Sequence, residues 1–482
     1  MPKSLFPIPE PRSKSIKVTK WVSFALVTIA VGVALTANVI GDSNLPNQLP
    51  FPDPTGVLTT YSTTGALDLS NPFFQSLGTN GRSCGSCHQP SDAMTVTPPH
   101  IQARFAATQG LDPIFRPNDG SNCPSADVST LAARQAAYSL VLNKGLIRIS
   151  IGVPVNAEFQ ITQISDPYNC PETTANTPAM YRRPLPATNL QFLSTVMWDG
   201  RETFKNPDGT FEPLSFDLAH QSVDATLGHA QAAQPPTTQQ QQQIVAFETP
   251  LFTAQAYDNN AGQLTTRGAN GGAVYLSAQP FYLGINDPLG GNPTGAAFDP
   301  NAMTLYNAWT SLGGPPSAQT ASRESVARGE ALFNTLPIPI FGVAGINDAL
   351  NQPVVLGTCT TCHDTPNVGN HSLSVPLNIG VTAYPAVPAL DISGLPVYTI
   401  VCKSTGNVIQ TTDPGRALIS GKCADIGKTK GPILRGMAGR APYFHNGSAA
   451  TLLDAVNFYD QRFGLHLTDQ QKADLVAFLN TL

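Results

Sequence analysis

The chain has 482 residues, enough for two or three domains that each bury an apolar core, and 41% of them are apolar, which suits a folded protein. Five of its 27 basic residues precede position 21, where Glu10 is the one acid, so 22 basic residues face 31 acidic ones over the rest. A body with that excess of negative charge repels nucleic acid and attracts a basic partner.

Taken in chain order, the first element is the uncharged run 21–40, "WVSFALVTIAVGVALTANVI". As a helix it would span about 30 Å. Behind a basic flank it reads as a retained membrane anchor or as a cleaved signal peptide, and either exports the rest of the chain; a buried core helix is the remaining reading. Residues 41–70 read as an extended, largely irregular lead-in. Next comes "SCGSCH" (83–88), a pattern that returns as "TCTTCH" (358–363). Helical spacing of apolar residues marks 101–109 and 129–145. The run "QPPTTQQQQQ" (234–243) predicts an exposed loop or a helix start, and 258–300 is rich in Gly, Asn and Pro. "TASRESVARGEALFNTL" opens with residues that cap a helix. Two more helices are predicted over 450–463 and 468–482. These helices outline a compact unit over 321–482, with the second motif as its cofactor loop.

Two thiols separated by two residues, with a histidine directly after, form the attachment pattern of haem c. The cysteines bond the porphyrin and the imidazole reaches the iron. A zinc knuckle would require a second cysteine pair at short spacing, which neither half supplies. A redox dithiol would not require a following histidine twice. The pattern therefore predicts two covalently bound haems c, on Cys84, Cys87 and His88 and on Cys359, Cys362 and His363. Of the four remaining cysteines, Cys123 with Cys170 and Cys402 with Cys423 make the economical disulfide pairs in an exported chain.

The stretch "GPILRGMAGRAPYFHNGSAATLLDAVNFYDQRFG" (431–464), together with "MWDGR" (197–201), "ARGEALFN" (327–334) and both CxxCH motifs, resembles the bacterial di-haem cytochrome c peroxidase and MauG family. The resemblance implies a mainly α fold: two cytochrome c-like haem domains with long irregular insertions, preceded by an N-terminal hydrophobic helix. The divisions are 1–42 as signal or anchor, 43–320 as a peroxidatic haem domain and 321–482 as the second haem domain. It also implies that Trp198 relays charge between the haems, that Arg201 anchors a propionate or its turn, and that calcium lies between the domains.

Tyr459 stands fourteen positions after His445, where the peroxidase branch has a methionine ligand and the MauG branch a tyrosine. His363 and Tyr459 are thus the expected ligands of the second iron, and His88 that of the first. An anionic oxygen ligand favours ferric and higher states, unlike a neutral thioether. The family's distal glutamate has no counterpart at its expected point. The matching run offers His220, His229, Gln231 and Gln234, of which His220, His229 and Gln234 are the catalytic candidates. His100 reads as a sixth ligand or as a cap. His445 reads as a structural hydrogen-bonding residue near a haem edge. The function implied is reduction of hydrogen peroxide at the first haem, with oxidation of a redox protein or small donor through the second, in the periplasm. The alternative is a non-catalytic di-haem electron carrier.

Overall fold

The computed structural model describes residues 44–482. The expected hydrophobic helix over 21–40 lies outside the described residues. The transmembrane expectation is corrected to what the described residues show: none of their helices is long and apolar enough to cross a membrane. The mainly α expectation is also corrected: the fold is mixed α/β, with helices packed among several small sheets.

The sheets arise where strands meet partners far away in sequence. Gly56–Ser62, inside the segment expected to be irregular, pairs antiparallel with Leu251–Asp258 as part of a four-stranded sheet. Thr60 and Thr253 share a buried hydroxyl contact of 2.8 Å in that pairing. Phe159–Ser165 pairs with Val397–Cys402, which continues to Val408–Thr411. The alternating burial of Val397–Cys402 places Tyr398, Ile400 and Cys402 on one apolar face. Both expected disulfides are present, Cys123–Cys170 with Cα atoms 5.5 Å apart and Cys402–Cys423 with 5.9 Å.

The helices follow the sequence signals more closely. Pro98–Thr108 begins with prolines, whose missing N–H costs nothing in a first turn. Residues 129–145 form two short helices, Leu131–Ala137 and Ser139–Lys144, the second closed by Gly145. The glutamine run enters Thr238–Glu248, where Thr237 and Gln240 cap each other. Ala318–Thr335 is capped by Ser317, and Leu452–Phe463 and Asp469–Asn480 by Thr451 and Thr468.

Ala318–Thr335 and Asp469–Asn480 cross closely at Gly329. A Cβ there would lie 2.0 Å from the backbone oxygen of Asp474. Alanine favours a helix by about 1 kcal/mol over glycine, but a clash with backbone cannot be relieved by a rotamer change. Gly329→Ala is therefore expected to cost roughly 1–3 kcal/mol through overpacking, read as a lower urea midpoint. An unchanged or higher midpoint would show that the crossing is loose.

Each CxxCH packs against its own apolar cluster. Cys87 lies against Val96, Ile101, Phe115 and Tyr138. Cys359 and Cys362 lie against Ile338, Ile346 and Phe463, with Cys359 also touching the Val326, Phe333 and Phe478 core.

Candidate haem sites

The two motifs build the same turn twice. Cys84–Ser86 and Cys359–Thr361 are single 3-10 turns, each closed by a hydroxyl: Ser83 N–H donates to Ser86 Oγ at 3.0 Å, and Thr358 N–H to Thr361 Oγ1 at 2.9 Å. The histidine N–H then bonds the first cysteine carbonyl, His88 to Cys84 at 3.0 Å and His363 to Cys359 at 3.1 Å. Each imidazole donates Nδ1–H to a carbonyl six residues later, His88 to Met94 at 2.9 Å and His363 to Gly369 at 2.6 Å. Because a carbonyl can only accept, the proton is fixed on Nδ1 and Nε2 keeps its lone pair for a metal. A phenylalanine flanks each ring, Phe73 at 6.0 Å and Phe333 at 5.8 Å. Burial keeps both imidazoles neutral, lowering His88 and bringing His363 down to about 4.

The four motif thiols form no disulfide. Burial pushes Cys84, Cys359 and Cys362 up to about 12 and raises Cys87 as well. A redox dithiol needs an accessible thiolate near neutral pH, which these positions do not provide.

A cavity of about 1640 Å³, including its open mouth, faces the first motif. Cys84, Cys87 and His88 line it together with Trp198, Arg201, His229, Glu248, Lys430 and Arg435. The helix Leu214–Gly228, which sequence reasoning missed, contributes Leu218, Gln221, Ser222, Ala225 and Thr226 to the same wall at helical spacing.

Four cations at this wall have no carboxylate partner among the described residues. All three nitrogens of the buried Arg435 guanidinium are unpaired. Arg183 and Arg440 donate to backbone carbonyls, and Lys430 Nζ to Thr195 O at 3.0 Å. Burial lowers Arg183, Arg435 and Arg440 to about 10 and Lys430 to about 7. An unpaired buried guanidinium is costly. The donor set, two thiols, a free imidazole Nε2, the unsatisfied guanidinium of Arg435 and three further cations without a carboxylate among the described residues, fits a haem c with its propionates.

Trp198 sits on a sharp turn. Met197 and Gly200 both adopt positive φ, 66° and 70°, and a Cβ on Gly200 would meet Thr195 Cγ2 at 3.0 Å and Arg416 at 3.2 Å. Trp198 Nε1 donates to Arg183 O at 2.8 Å, and its own carbonyl accepts from Lys430 N–H at 2.8 Å. Its ring lies 6.0 Å from that of His445. Asp199 accepts from Arg182 and Arg201, and Arg182 also holds Asp413 at 2.7 and 2.9 Å. Burial works to raise Asp413, but Arg182 and His445 together outweigh it and hold the carboxyl well below its usual range. The buried His445 places Nε2 3.5 Å from Asp413.

The expected distal groups separate. His229 lines the cavity, its Nδ1 bonded to Asp119. His220 is exposed and bonded to Glu202 at 2.7 Å, and Gln234 is exposed; neither lines the cavity. His100 is half exposed, bonded to Asp92 and also away from it. Glu248, which sequence reasoning passed over at the end of the glutamine-rich helix, is buried there with Oε1 unpaired, and burial pushes it up to about 8.

At the second motif, Tyr459 packs with Cys359, Cys362 and Phe463 in one cluster and with Phe444 and Phe458 in another. Burial raises its phenol, and the neighbouring Cys362 and Cys359 add to the rise.

No family model matches the chain. Cytochrome-c peroxidase IdrP2 of Denitromonas iodatirespirans is 36% identical over 141 residues, which is 26% of this chain and 36% of the relative. Cytochrome-c peroxidase IdrP1 of the same organism is 31% identical over 148 residues, with the same coverage. The chain thus spans about a third of the length of these curated relatives. Among solved structures, a MauG-like protein associated with microbial copper homeostasis aligns over 86% of both chains at 17% identity, with a TM-score of 0.36. The similarity to the cytochrome-c peroxidases, over about a quarter of this chain, supports a link to the di-haem peroxidase superfamily.

Proposed function

We propose that this chain is a di-haem c oxidoreductase that reduces hydrogen peroxide at the His88 site and oxidises a protein or small electron donor by way of the His363 site. The observation that carries this reading is the duplicated turn, in which a histidine locked through Nδ1 follows a pair of half-buried thiols, combined with a cavity lined by the unpaired guanidinium of Arg435. Bound haem supplies the iron redox chemistry. Residues 43–320 and 321–482 are the two haem domains of the proposal, which draws support from the separate cluster around each motif. Two disulfides support an oxidising compartment such as the periplasm.

The chain's own groups then have distinct tasks. His88 and His363 orient their Nε2 atoms toward metal, and Tyr459 offers a phenolic oxygen at the second site. Arg435, with Arg201 and Lys430, binds carboxylates. Trp198, fixed through Nε1 and its carbonyl, is the aromatic group assigned to carry charge between the two sites. Glu248 holds a proton on its carboxyl at neutral pH and is assigned to move it during peroxide reduction, with His229 held in place by Asp119. The overall balance is one peroxide, two protons and two electrons giving two waters, the electrons coming from the donor.

The test is peroxide-dependent oxidation of a small one-electron donor by the protein carrying both haems. Two donor equivalents should be oxidised per peroxide, at a rate that falls as pH rises through about 8, where Glu248 loses its proton. Glu248→Gln should slow the reaction roughly 100-fold and flatten that pH profile. Protein that leaves peroxide unconsumed would instead be the non-catalytic carrier.

A further inference from the structure

Away from the cysteine motifs' own ligands, Asp287, Asp364 and His371 bring one potential ligand atom each to within 4.8 Å of the others. All three are buried, with 2%, 0% and 2% of their surface exposed. Their hydrogen bonds leave a consistent remainder. Asp287 Oδ2 accepts from Leu289 N–H at 3.0 Å and Gly291 N–H at 2.6 Å, while Oδ1 has no partner. Asp364 Oδ1 accepts from Ser372 N–H at 2.7 Å, and Oδ2 from Ser372 Oγ at 3.0 Å and His371 Nδ1 at 3.2 Å. His371 Nε2 has no partner among the described residues.

No lysine or arginine among the described residues forms an ion pair with either carboxylate. Two buried carboxylates that no lysine or arginine pairs with are costly to desolvate and repel one another. The positions are nevertheless held from outside. Asn286 Nδ2 donates to Asp364 O at 3.0 Å, Gly284 N–H to Ser372 O at 3.0 Å, and Ser194 Oγ to His371 O at 2.6 Å. Such bonds to the backbone and to the remaining carboxylate oxygens orient a metal's ligands.

We propose that Asp287, Asp364 and His371 form a buried site for one divalent transition metal of the zinc class, joining the 284–291 loop to the segment that carries the second CxxCH. One imidazole nitrogen with two carboxylate oxygens matches the donors zinc takes, whereas calcium and magnesium prefer oxygen alone. The ion neutralises the two carboxylates and takes the unpaired Asp287 Oδ1, an Asp364 oxygen and His371 Nδ1, whose hydrogen bond to Asp364 it replaces. Asp364 directly follows His363, so the site braces that histidine's loop. The inference does not rest on the proposed peroxide chemistry.

The test is elemental analysis of the protein with both haems attached, stripped with a chelator and then dialysed against Zn2+. One zinc per chain should bind in addition to the haem iron, and it should raise the thermal midpoint. Asp287→Asn, which keeps the shape of the side chain, and His371→Gln should each weaken zinc binding at least about 100-fold with haem content unchanged. His220→Gln, in the exposed Glu202, His220 and Asp224 cluster, should leave it intact. Absence of bound zinc in the wild-type protein, zinc retained by both variants, or zinc lost only with His220→Gln would each overturn the site.

Discussion

Replacing Cys84 and Cys87 together by serine is expected to leave one covalently bound haem per chain and to abolish peroxide reduction. Both thiols sit in the single 3-10 turn that also sets His88, and both face the large cavity. Serine preserves the size of the side chains and their place beside the apolar cluster, so the fold should hold while the thioether bonds are lost. The second site keeps its own turn, its own histidine and its own core, which is why one haem should remain. Activity should fall by more than roughly 100-fold, because the protein side chains left at the cavity have no redox chemistry to replace the group. Haem count by pyridine assay, with iron by elemental analysis, reads the first effect and donor oxidation the second. Retention of both haems, or of full peroxide activity with one, would refute the assignment of the His88 site.

Tyr459→Phe carries the second large effect. The phenol is the polar end of a ring otherwise enclosed by Phe444, Phe458, Phe463 and the second cysteine pair. Burial raises its pKa, so without a cation it stays neutral. A metal reverses that preference, since direct coordination stabilises the phenolate. The variant should keep two haems but lose the phenolate signature of the C-terminal one, whose reduction potential should rise when the anionic oxygen is removed. A spectrum and potential equal to the wild type would make Tyr459 a packing residue and leave only His363 assigned to that iron.

The two CxxCH turns were legible because both rest on short runs of sequence. The CxxCH spacing fixes thiols and imidazole within one turn, and hydroxyl residues at Ser83, Ser86, Thr358 and Thr361 close that turn locally. The three C-terminal helices were legible for a like reason: Thr451 and Thr468 cap two of them from inside the expected stretches, while Ser317 caps the first just ahead of the run read as its start. The sheets were not. Gly56–Ser62 acquires its strand character from Leu251–Asp258, and no local alternation in 41–70 announces a partner so far along the chain. The helix Leu214–Gly228 was missed because its cavity wall mixes Gln221, Ser222 and Thr226 with Leu218 and Ala225, which weakens the apolar period.

The amino-acid order alone picked out the two cysteine–histidine turns and the cysteines that cross-link, because each depends on residue type and spacing. Only the tertiary structure decided which polar groups face the cavity. It brought in Glu248 and Arg435, left His100, His220 and Gln234 outside, and gathered Asp287 with Asp364 and His371. The reason is desolvation: a carboxyl or guanidinium in sequence is an ordinary charged residue until folding removes water from it. Its missing partner then becomes visible.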